Sequence, residues 1–429
     1  MNYGQCLDFL YSQLPMFQRQ GAAAYKANLD NTLALMEMLH HPQKSFPAVH
    51  IAGTNGKGSS AHMIASVLQQ QGYKTGLYTS PHLIDFRERI KVDGAMIPKD
   101  EVVAFVERYR AEFTKIKPSF FEITFAMALD YFRKSAVDIV VMETGMGGRL
   151  DSTNVVEPVI SLITNISLDH TQFLGDSLPK IATEKAGIIK RGVPVIIGTR
   201  QEELREVFEK RAAEMDAPLI YAEDIIQLAE RPAPSKQCYD VKVNSLRKGV
   251  FCIPLLGKYQ RNNLQGVLAV LYKLDELGDF VISDEHIRKG LACVVKSTGI
   301  MGRWQQLADR PKIICDTGHN EDGLRHVLEQ LSKESYKKLH FVLGMVNDKD
   351  VPAVLEMLPK DAEYYFCRPD IPRGLDVAVL HQAAQRHKLK GTPFDSVKDA
   401  LKKAKENANA DDLIFVGGST FVVADALAP

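Results

Sequence analysis

The residues whose types and spacing point most directly to a chemical role lie in one glycine-rich segment, Gly53-Thr54-Asn55-Gly56-Lys57-Gly58-Ser59. Glycines let a backbone wrap closely round a phosphate and point N–H groups at it where a helix begins. Lys57 would add a positive charge for the outer phosphates. The pattern G-x-x-x-x-G-K-[ST] is not met in full, because Ile51 stands where its first glycine belongs and Gly58 follows the lysine. The segment predicts a variant phosphate-binding loop rather than a turn with a solvated lysine.

Three further polar residues, Ser80, Glu143 and His170, come shortly after predicted strands. The carboxyl ends of parallel strands share one edge of a sheet, so we expect these side chains to converge on the glycine segment. A hydroxyl, a carboxylate and a neutral imidazole beside phosphate oxygens would make a Mg²⁺ site. Taken alone, Ser80 also fits an ordinary turn and His170 a helix cap, whereas Glu143 ends an apolar run and needs a partner if it is buried. The site is indicated by the coincidence of these residues.

The elements that must position these residues are short apolar runs alternating with longer amphipathic ones. This alternation is typical of a mostly parallel sheet wrapped by helices. The predicted strands of the first part are Ala48–Gly53, Thr75–Tyr78, Val137–Met142, Val159–Asn165 and Val193–Gly198. The predicted helices are Ser59–Gln71, Lys99–Phe113, Phe121–Arg133, Ile181–Lys190, Glu202–Met215 and Gln260–Leu277, while Pro232–Pro254 is interpreted as a hairpin or loop.

A second series of strands and helices follows a run of small residues at 297–303. Its predicted strands are Lys312–Asp316, Leu339–Leu343, Glu363–Cys367 and Leu413–Gly417, and its predicted helices are Glu321–Ser332, Ala353–Leu358, Val377–His387 and Ser396–Asn407. We therefore expect an α/β protein with two domains. Residues 1–297 would form a P-loop-type domain with a mostly parallel sheet and N-terminal helices, and residues 298–429 a smaller Rossmann-like α/β domain.

Composition narrows the class of protein. The 429 residues carry 53 Lys+Arg and 53 Asp+Glu, a formal net charge of zero, which disfavours binding to nucleic acid or to an anionic membrane. The six cysteines are scattered, with no two within ten residues, which argues against a zinc cluster or a disulfide scaffold. The first residues lack the pattern of a signal peptide, so we expect a cytoplasmic enzyme.

Together these motifs resemble the Mur ligase superfamily and, within it, the folylpolyglutamate synthase/dihydrofolate synthase family. The similarity spans nearly the whole chain and is carried by the segments 53–59, 78–83, 88–90, 121–122, 143–154, 168–170, 184–192, 302–303, 316–320 and 418–419. Two segments depart from the family pattern. Asp316-Thr317-Gly318-His319-Asn320-Glu321 replaces the usual Asp-Gly-Ala-His-Asn-Pro, and Met301-Gly302-Arg303 replaces Pro-Gly-Arg, but both keep their functional residues.

The resemblance implies roles for particular residues. It implies ATP binding by Thr54, Asn55, Gly56, Lys57, Gly58, Ser59, Asn263, Arg303, Asp316 and His319. It implies a pterin pocket lined by Ser119, Phe120, Phe121, Glu122, Leu150, Asp151 and Ser152, with Ser419 near the incoming glutamate. Magnesium would be held by Ser80, Glu143 and His170, and catalysis would depend on Lys57, His170 and Lys185. Lys185 would be carbamylated and hold a second Mg²⁺, although its segment alone fits a helix end with surface lysines.

The function implied by the resemblance is ATP-dependent amide bond formation. A carboxylate of dihydropteroate, or of the terminal glutamate of a folate, would be phosphorylated by ATP and then attacked by L-glutamate. The segment 147–154 is similar to that of members that accept dihydropteroate, so we expect a bifunctional, monomeric enzyme. The alternatives are a folylpolyglutamate synthase with one activity, a muramyl-peptide ligase, and a switch that binds ATP without ligase chemistry.

Overall fold

The computed structural model of the chain describes residues 1–12, 28–347 and 351–428. The chain divides into two compact units. The first unit comprises residues 1–12, 28–254 and 260–300, and the second comprises residues 255–259, 301–347 and 351–428. None of the helices in these ranges combines the length and the apolar character that a bilayer crossing requires.

The first unit is built on an eight-stranded sheet with the order β4-β3-β2-β5-β1-β6-β7-β8. Its strands are β1 (Ala48–Ala52), β2 (Thr75–Tyr78), β3 (Ile90–Val92), β4 (Ala95–Met96), β5 (Ile139–Glu143), β6 (Ile160–Ile163), β7 (Val195–Ile197) and β8 (Leu219–Tyr221). Strands β2, β5, β1, β6, β7 and β8 are parallel to one another, and β3 and β4 add an antiparallel edge. Because β5 and β6 flank β1 on opposite sides, the chain changes direction across the sheet at β1, where ligands bind in such folds.

Helices cover both faces of this sheet. They are α1 (Tyr3–Ser12), α2 (Asp30–Met38), α3 (Lys57–Gln71), α4 (Lys99–Ile116), α5 (Phe120–Lys134), α6 (Thr171–Leu174), α7 (Leu178–Ala186), α8 (Arg205–Glu214), α9 (Ala222–Ile225), α10 (Gln260–Leu277) and α11 (Asp284–Thr298). Short 3₁₀ helices span Pro42–Lys44, Phe86–Arg89, Ser152–Val155 and Glu202–Leu204. The central strands are buried along their whole length, which is why they read as unbroken apolar runs.

The first unit also contains a three-stranded antiparallel sheet, with strands β9 (Ile226–Arg231), β10 (Gln237–Val243) and β11 (Leu246–Ile253). Cys238 and Cys252 are direct partners in the register of β10 and β11, and a disulfide joins them. The sequence argued against disulfides because the cysteines are far apart. That expectation is wrong for this pair, since residues 14 apart become neighbours only through the hairpin register.

The second unit contains a six-stranded sheet with the order β12-β13-β17-β14-β15-β16. Its strands are β12 (Gln305–Asp309), β13 (Lys312–Cys315), β14 (Leu339–Leu343), β15 (Glu363–Cys367), β16 (Lys390–Phe394) and β17 (Leu413–Gly417). Its helices are α12 (Glu321–Leu331), α13 (Val351–Met357), α14 (Val377–Arg386), α15 (Val397–Asn407) and α16 (Thr420–Leu427). All its strands are parallel except β12, which pairs antiparallel with β13.

The α/β fold class predicted from the sequence is confirmed, and every predicted strand lies within two residues of an observed one. Helix α7 is shifted from its predicted range of 181–190, because Pro179 allows an earlier start and the helix ends before Gly187. Strands β3, β4, β8, β12 and β16 and helices α6, α9, α11 and α16 had no counterpart in the sequence prediction. Strand β16 is half exposed and contains Pro393, so it lacks the apolar run that marks a buried strand.

Candidate active site

The glycine segment forms a tight loop between β1 and α3. Gly53 and Gly56 both have positive φ angles, +145° and +88°. A side chain at Gly53 would collide with Thr164 Oγ1, and one at Gly56 would collide with the Asn263 amide. Glycine is therefore required at both positions by backbone conformation and by space.

Residues that follow β6 hold this loop in place. The Asn55 amide N–H donates to Asn165 Oδ1 (2.8 Å), and Thr164 Oγ1 donates to the Asn55 carbonyl (2.6 Å). Thr54 Oγ1 accepts from the Ser167 N–H (3.0 Å) and donates to the Ser167 carbonyl (3.1 Å). This loop, residues 53–59, is thus fixed by the residues that follow the neighbouring strand β6, and we call it the phosphate loop after the prediction from the sequence.

Two lysines approach the same carbonyl oxygen of this loop. Lys57 Nζ donates to Gly53 O at 3.0 Å, and Lys185 Nζ donates to it at 2.8 Å. Lys185 lies at the end of α7, 132 residues further along the chain, and is only 4% exposed. Burial first, and the charge of Lys57 second, lower the pKa of Lys185 to about 7. A substantial fraction of Lys185 is therefore a neutral amine near neutral pH.

Glu143 ends β5 at the same sheet edge and is 5% exposed. The Ser80 backbone N–H donates to its Oε2 at 3.1 Å, so this hydrogen bond holds the backbone of Ser80 beside the carboxylate. His170, in the left-handed conformation, begins α6, and its N–H donates to Asp169 Oδ1.

Oxygen atoms are the ligands that Mg²⁺ prefers, with phosphate and water completing its shell, so the Glu143 carboxylate beside Ser80 fits such an ion. Within the described ranges, no three His, Cys, Asp or Glu side chains come together as a ready-made metal cluster.

A second loop, residues 144–153, follows Glu143 and lies against the aromatic ring of Phe121. A side chain added at Gly145 would stand 2.5 Å from Phe121 Cζ. The Phe121 ring also contacts Tyr78 edge-on, with centroids 6.1 Å apart. Phe121 and Tyr78 form an aromatic wall beside the 144–153 loop, in which Tyr78 is fully buried and Phe121 is partly exposed. Phe121 is therefore the member of the wall that a flat ring system can contact.

Ser119, Phe120 and Glu122, which flank Phe121 in the sequence, stabilise the start of α5. Ser119 Oγ accepts from the Glu122 N–H (3.3 Å), and Glu122 Oε2 accepts from the Ser119 N–H (2.5 Å). This reciprocal pair is a capping box at the start of α5. Phe120 is buried against Tyr11, Phe86 and the Arg89 guanidinium. Their side chains orient the helix that carries Phe121.

The 144–153 loop also packs directly on the helix end that carries Lys185. A side chain at Gly148 would stand 2.8 Å from the carbonyl oxygens of Glu184 and Lys185. The Arg149 N–H donates to Glu184 O at 2.8 Å, and its guanidinium pairs with the Glu184 carboxylate. Leu150 and Ser152 belong to this loop, and Ser152 is buried. The phosphate loop, Lys185 and the 144–153 loop are therefore one connected structure.

Asn263 lies over the phosphate loop from α10. Its Nδ2 donates to Gln260 Oε1 (2.8 Å), and Gln260 Nε2 donates to Ser59 Oγ (3.0 Å). Gln260 was not among the residues singled out in the sequence. The signal that could have found it is a second amide three residues before Asn263, on the same face of a helix.

In the second unit, Asp316 follows β13 and accepts three hydrogen bonds. The donors are the Tyr259 hydroxyl (2.6 Å), the Trp304 N–H (2.7 Å) and the Gly318 N–H (2.7 Å). Burial raises the pKa of Asp316 although these donors favour its charged form. Arg303 donates to the Thr317 hydroxyl, next to Asp316. Tyr259 was not among the residues singled out in the sequence.

Two other predicted residues of this unit lie at helix starts. His319 Nδ1 lies 3.0 Å from the carbonyl oxygen of Thr317, and the next residue, Asn320, caps α12. Ser419 caps α16, where its Oγ accepts from the Val422 N–H at 3.2 Å. Gly418 before it has φ +97°, and a side chain there would stand 2.6 Å from the Gly344 carbonyl oxygen and be strained.

The structure thus brings together most of the predicted residues of the first unit. Thr54, Asn55, Gly56, Lys57, Gly58, Ser59, Asn263, Lys185 and Asp151 belong to the connected structure around the phosphate loop, and Ser80 joins Glu143 at the same sheet edge. Arg303 and Asp316 lie together in the second unit. Their common neighbour Thr317 bonds to His319.

Comparison with known proteins adds a further finding. Residues 51–271 match the Mur ligase middle domain, and residues 302–420 match the Mur ligase glutamate ligase domain. A "Dihydrofolate synthase/folylpolyglutamate synthase" of Bacillus subtilis is 32% identical over 410 residues, which cover 93% of this chain and 94% of that protein. A "Probable bifunctional folylpolyglutamate synthase/dihydropteroate synthase" of Haloferax volcanii is 34% identical over 99% of this chain, and the chain spans 50% of its length.

A solved structure with the same fold is E. coli FolC in complex with DHPP and ADP. It superposes with a TM-score of 0.85 at 28% identity and covers 100% of this chain and 97% of that one. The likeness therefore extends over both units.

Proposed function

We propose, starting from the fact that this chain belongs to the folylpolyglutamate synthase/dihydrofolate synthase family of Mur ligases, that it joins L-glutamate to dihydropteroate and to the terminal glutamate of folates at the expense of ATP. One observation supports this above the others. The phosphate loop, Lys185 and the 144–153 loop with its aromatic wall lie at one sheet edge, so a phosphate donor and a flat-ringed acid can meet there.

The reaction needs ATP because a carboxylate is too stable an electrophile for an amine. A carboxylate oxygen of the acceptor attacks the γ-phosphorus, the bond to the bridging oxygen breaks, and ADP leaves with an acyl phosphate formed. The amine of L-glutamate then attacks the acyl carbon and loses a proton, and inorganic phosphate leaves with the electron pair. Lys57 and the loop N–H groups stabilise the charge that develops on the phosphoryl oxygens.

Ser80, Glu143 and His170 would hold a magnesium ion, which supplies positive charge to the phosphate oxygens. A carbamylated Lys185 would hold a second. Asn263, Arg303, Asp316 and His319 would bind the nucleotide, Ser419 the incoming glutamate, and Phe121 with residues 150–152 the pterin ring. In this proposal Ser119, Phe120 and Glu122 act through the position of α5.

The test is a coupled assay of the purified chain with ATP, Mg²⁺ and L-glutamate, once with dihydropteroate and once with tetrahydrofolate. We expect ADP release and a product one glutamate heavier with both acceptors. Turnover of tetrahydrofolate without turnover of dihydropteroate would show that the enzyme is a folylpolyglutamate synthase with one activity. Activity only with a UDP-sugar peptide would show a muramyl-peptide ligase, and ATP binding without glutamate-dependent phosphate release would show a switch.

A further inference from the structure

We propose that His50 and Thr153 are positioning residues that hold the 144–153 loop in its substrate-binding shape. His50 lies in the middle of β1, three residues before the phosphate loop, and Thr153 lies in the 3₁₀ helix that ends the 144–153 loop. Both side chains are 0% exposed, and His50 Nε2 lies 2.8 Å from Thr153 Oγ1. The inference rests on the proposed function, because it concerns which residues shape the acceptor pocket.

The directions of the hydrogen bonds follow from the donors around Asp151. Its Oδ1 accepts from the Thr153 N–H (3.0 Å) and the Thr153 hydroxyl (2.5 Å). Its Oδ2 accepts from the Met146 N–H (2.8 Å), and the Gly145 N–H also favours its charged form. Four donors occupy the four acceptor positions of a carboxylate. The side chain of Asp151 is therefore a brace within the loop.

The Thr153 hydroxyl has one proton and gives it to Asp151, so it must accept the bond from His50. His50 therefore carries its proton on Nε2. Its Nδ1 is buried without a hydrogen-bond partner. Burial and the charge of Lys190 lower the pKa of His50 to about 3, so the ring stays neutral at physiological pH. This fixes one tautomer and one donor direction.

The result is a single chain of hydrogen bonds from His50 through Thr153 and Asp151 to the backbone of Gly145 and Met146. It joins the strand that leads into the phosphate loop to the turn that packs on Phe121. Loosening it would let that turn move relative to the aromatic wall, while the phosphate loop keeps its own bonds to residues 164–167.

The test compares Thr153→Val, which removes the hydroxyl at nearly constant volume, with Thr153→Ser, which keeps it. Thr298→Val is the matched control, because Thr298 is also fully buried and its hydroxyl bonds only to Val294 O in the described structure, at the end of α11. We expect Thr153→Val to raise the acceptor KM by about tenfold or more. The ATP KM should change by less than about twofold, with Thr153→Ser and Thr298→Val near wild type. Equal changes in both KM values, or none, would overturn the proposal.

Amide hydrogen exchange gives a second readout that does not depend on turnover. Exchange in a peptide covering residues 144–153 should quicken in Thr153→Val and stay near wild type in Thr153→Ser, with residues 53–60 unchanged. Unchanged exchange in Thr153→Val would refute the proposal that the Thr153 hydroxyl holds the 144–153 loop in place. If the wild type turned over neither acceptor, the proposed function would fail. The exchange experiment would still decide whether His50, Thr153 and Asp151 hold the 144–153 loop.

Discussion

Lys57 and Lys185 donate to the same oxygen, the carbonyl of Gly53, at 3.0 and 2.8 Å. Lys185 is almost fully buried there, and this burial is the larger reason why its pKa falls to about 7. The charge of Lys57 is the second reason. The pairing therefore gives Lys185 a substantial neutral fraction near neutral pH, beside the start of α3.

Replacing Lys57 with alanine should lower the rate of glutamate-dependent phosphate release by about 10²-fold or more, because the charge on the transferred phosphoryl group loses a fixed partner. Lys180→Ala is the control, since Lys180 is well exposed and its ion pair with Asp176 lies on the surface. A Lys57→Ala enzyme that folds and turns over at the normal rate would refute the assignment.

Lys185 should capture CO₂. The neutral amine attacks the carbon of CO₂, a C–N bond forms and one proton is released, leaving an anionic carbamate. Below pH 7 the ammonium form dominates and capture should fade, so activity of CO₂-depleted enzyme should recover with bicarbonate at pH 8 far more than at pH 6.

Carbon NMR with labelled bicarbonate checks this directly. We expect one carbamate signal in the wild type and in Lys190→Arg, and none in Lys185→Arg. Lys190 is a fair control because it lies in the same segment and its Nζ donates to Asn154 O at 2.8 Å. A signal that survives in Lys185→Arg would contradict the assignment.

Gly148→Ala should disturb the site without removing any functional group. Its new methyl would stand 2.8 Å from two carbonyl oxygens of α7, so the helix end that carries Lys185 must shift. We expect a loss of about 1–3 kcal/mol in the free energy of unfolding and reduced turnover. Gly4→Ala, whose nearest neighbour lies at 3.4 Å, should change neither. Thermal unfolding and steady-state rates measure both effects.

The protein should lose stability as the pH falls from about 6.5 towards 3. His50 is fully buried and His82 is half-buried beside the Arg89 guanidinium. Desolvation first, and the charges of Lys190 and Arg89 second, lower the pKa of these two histidines, respectively, to about 3. Over this range the unfolded chain therefore binds protons that the folded chain does not bind. Each such histidine contributes a slope of about 1.4 kcal/mol per pH unit. Burial raises the pKa of Asp151, which acts in the opposite direction.

Urea unfolding at several pH values tests this dependence. In His50→Gln, which retains a donor towards Thr153, the free energy of unfolding should fall less steeply with decreasing pH than in the wild type. Equal slopes for the two proteins would show that His50 does not carry the effect.

Particular elements show how much of the structure could be predicted from the sequence. Strand β2 and helix α10 were predicted at their observed ends, because apolar periodicity and capping residues are local properties. Ser119 and Glu122 form a capping box, which their spacing could have indicated, and their place in a pterin pocket stays a prediction. The pattern around Lys185 indicated a surface lysine, because nothing local shows that Gly148 packs on its helix.

The amino-acid sequence by itself determined the α/β class, the glycine loop and the polar residues that follow parallel strands, because each depends on neighbours a few positions away. The tertiary structure alone decided that Lys185 reaches the Gly53 carbonyl and that His50 reaches Thr153. Those contacts exist because the sheet order places β1 between β5 and β6, and no local pattern encodes which strands become neighbours.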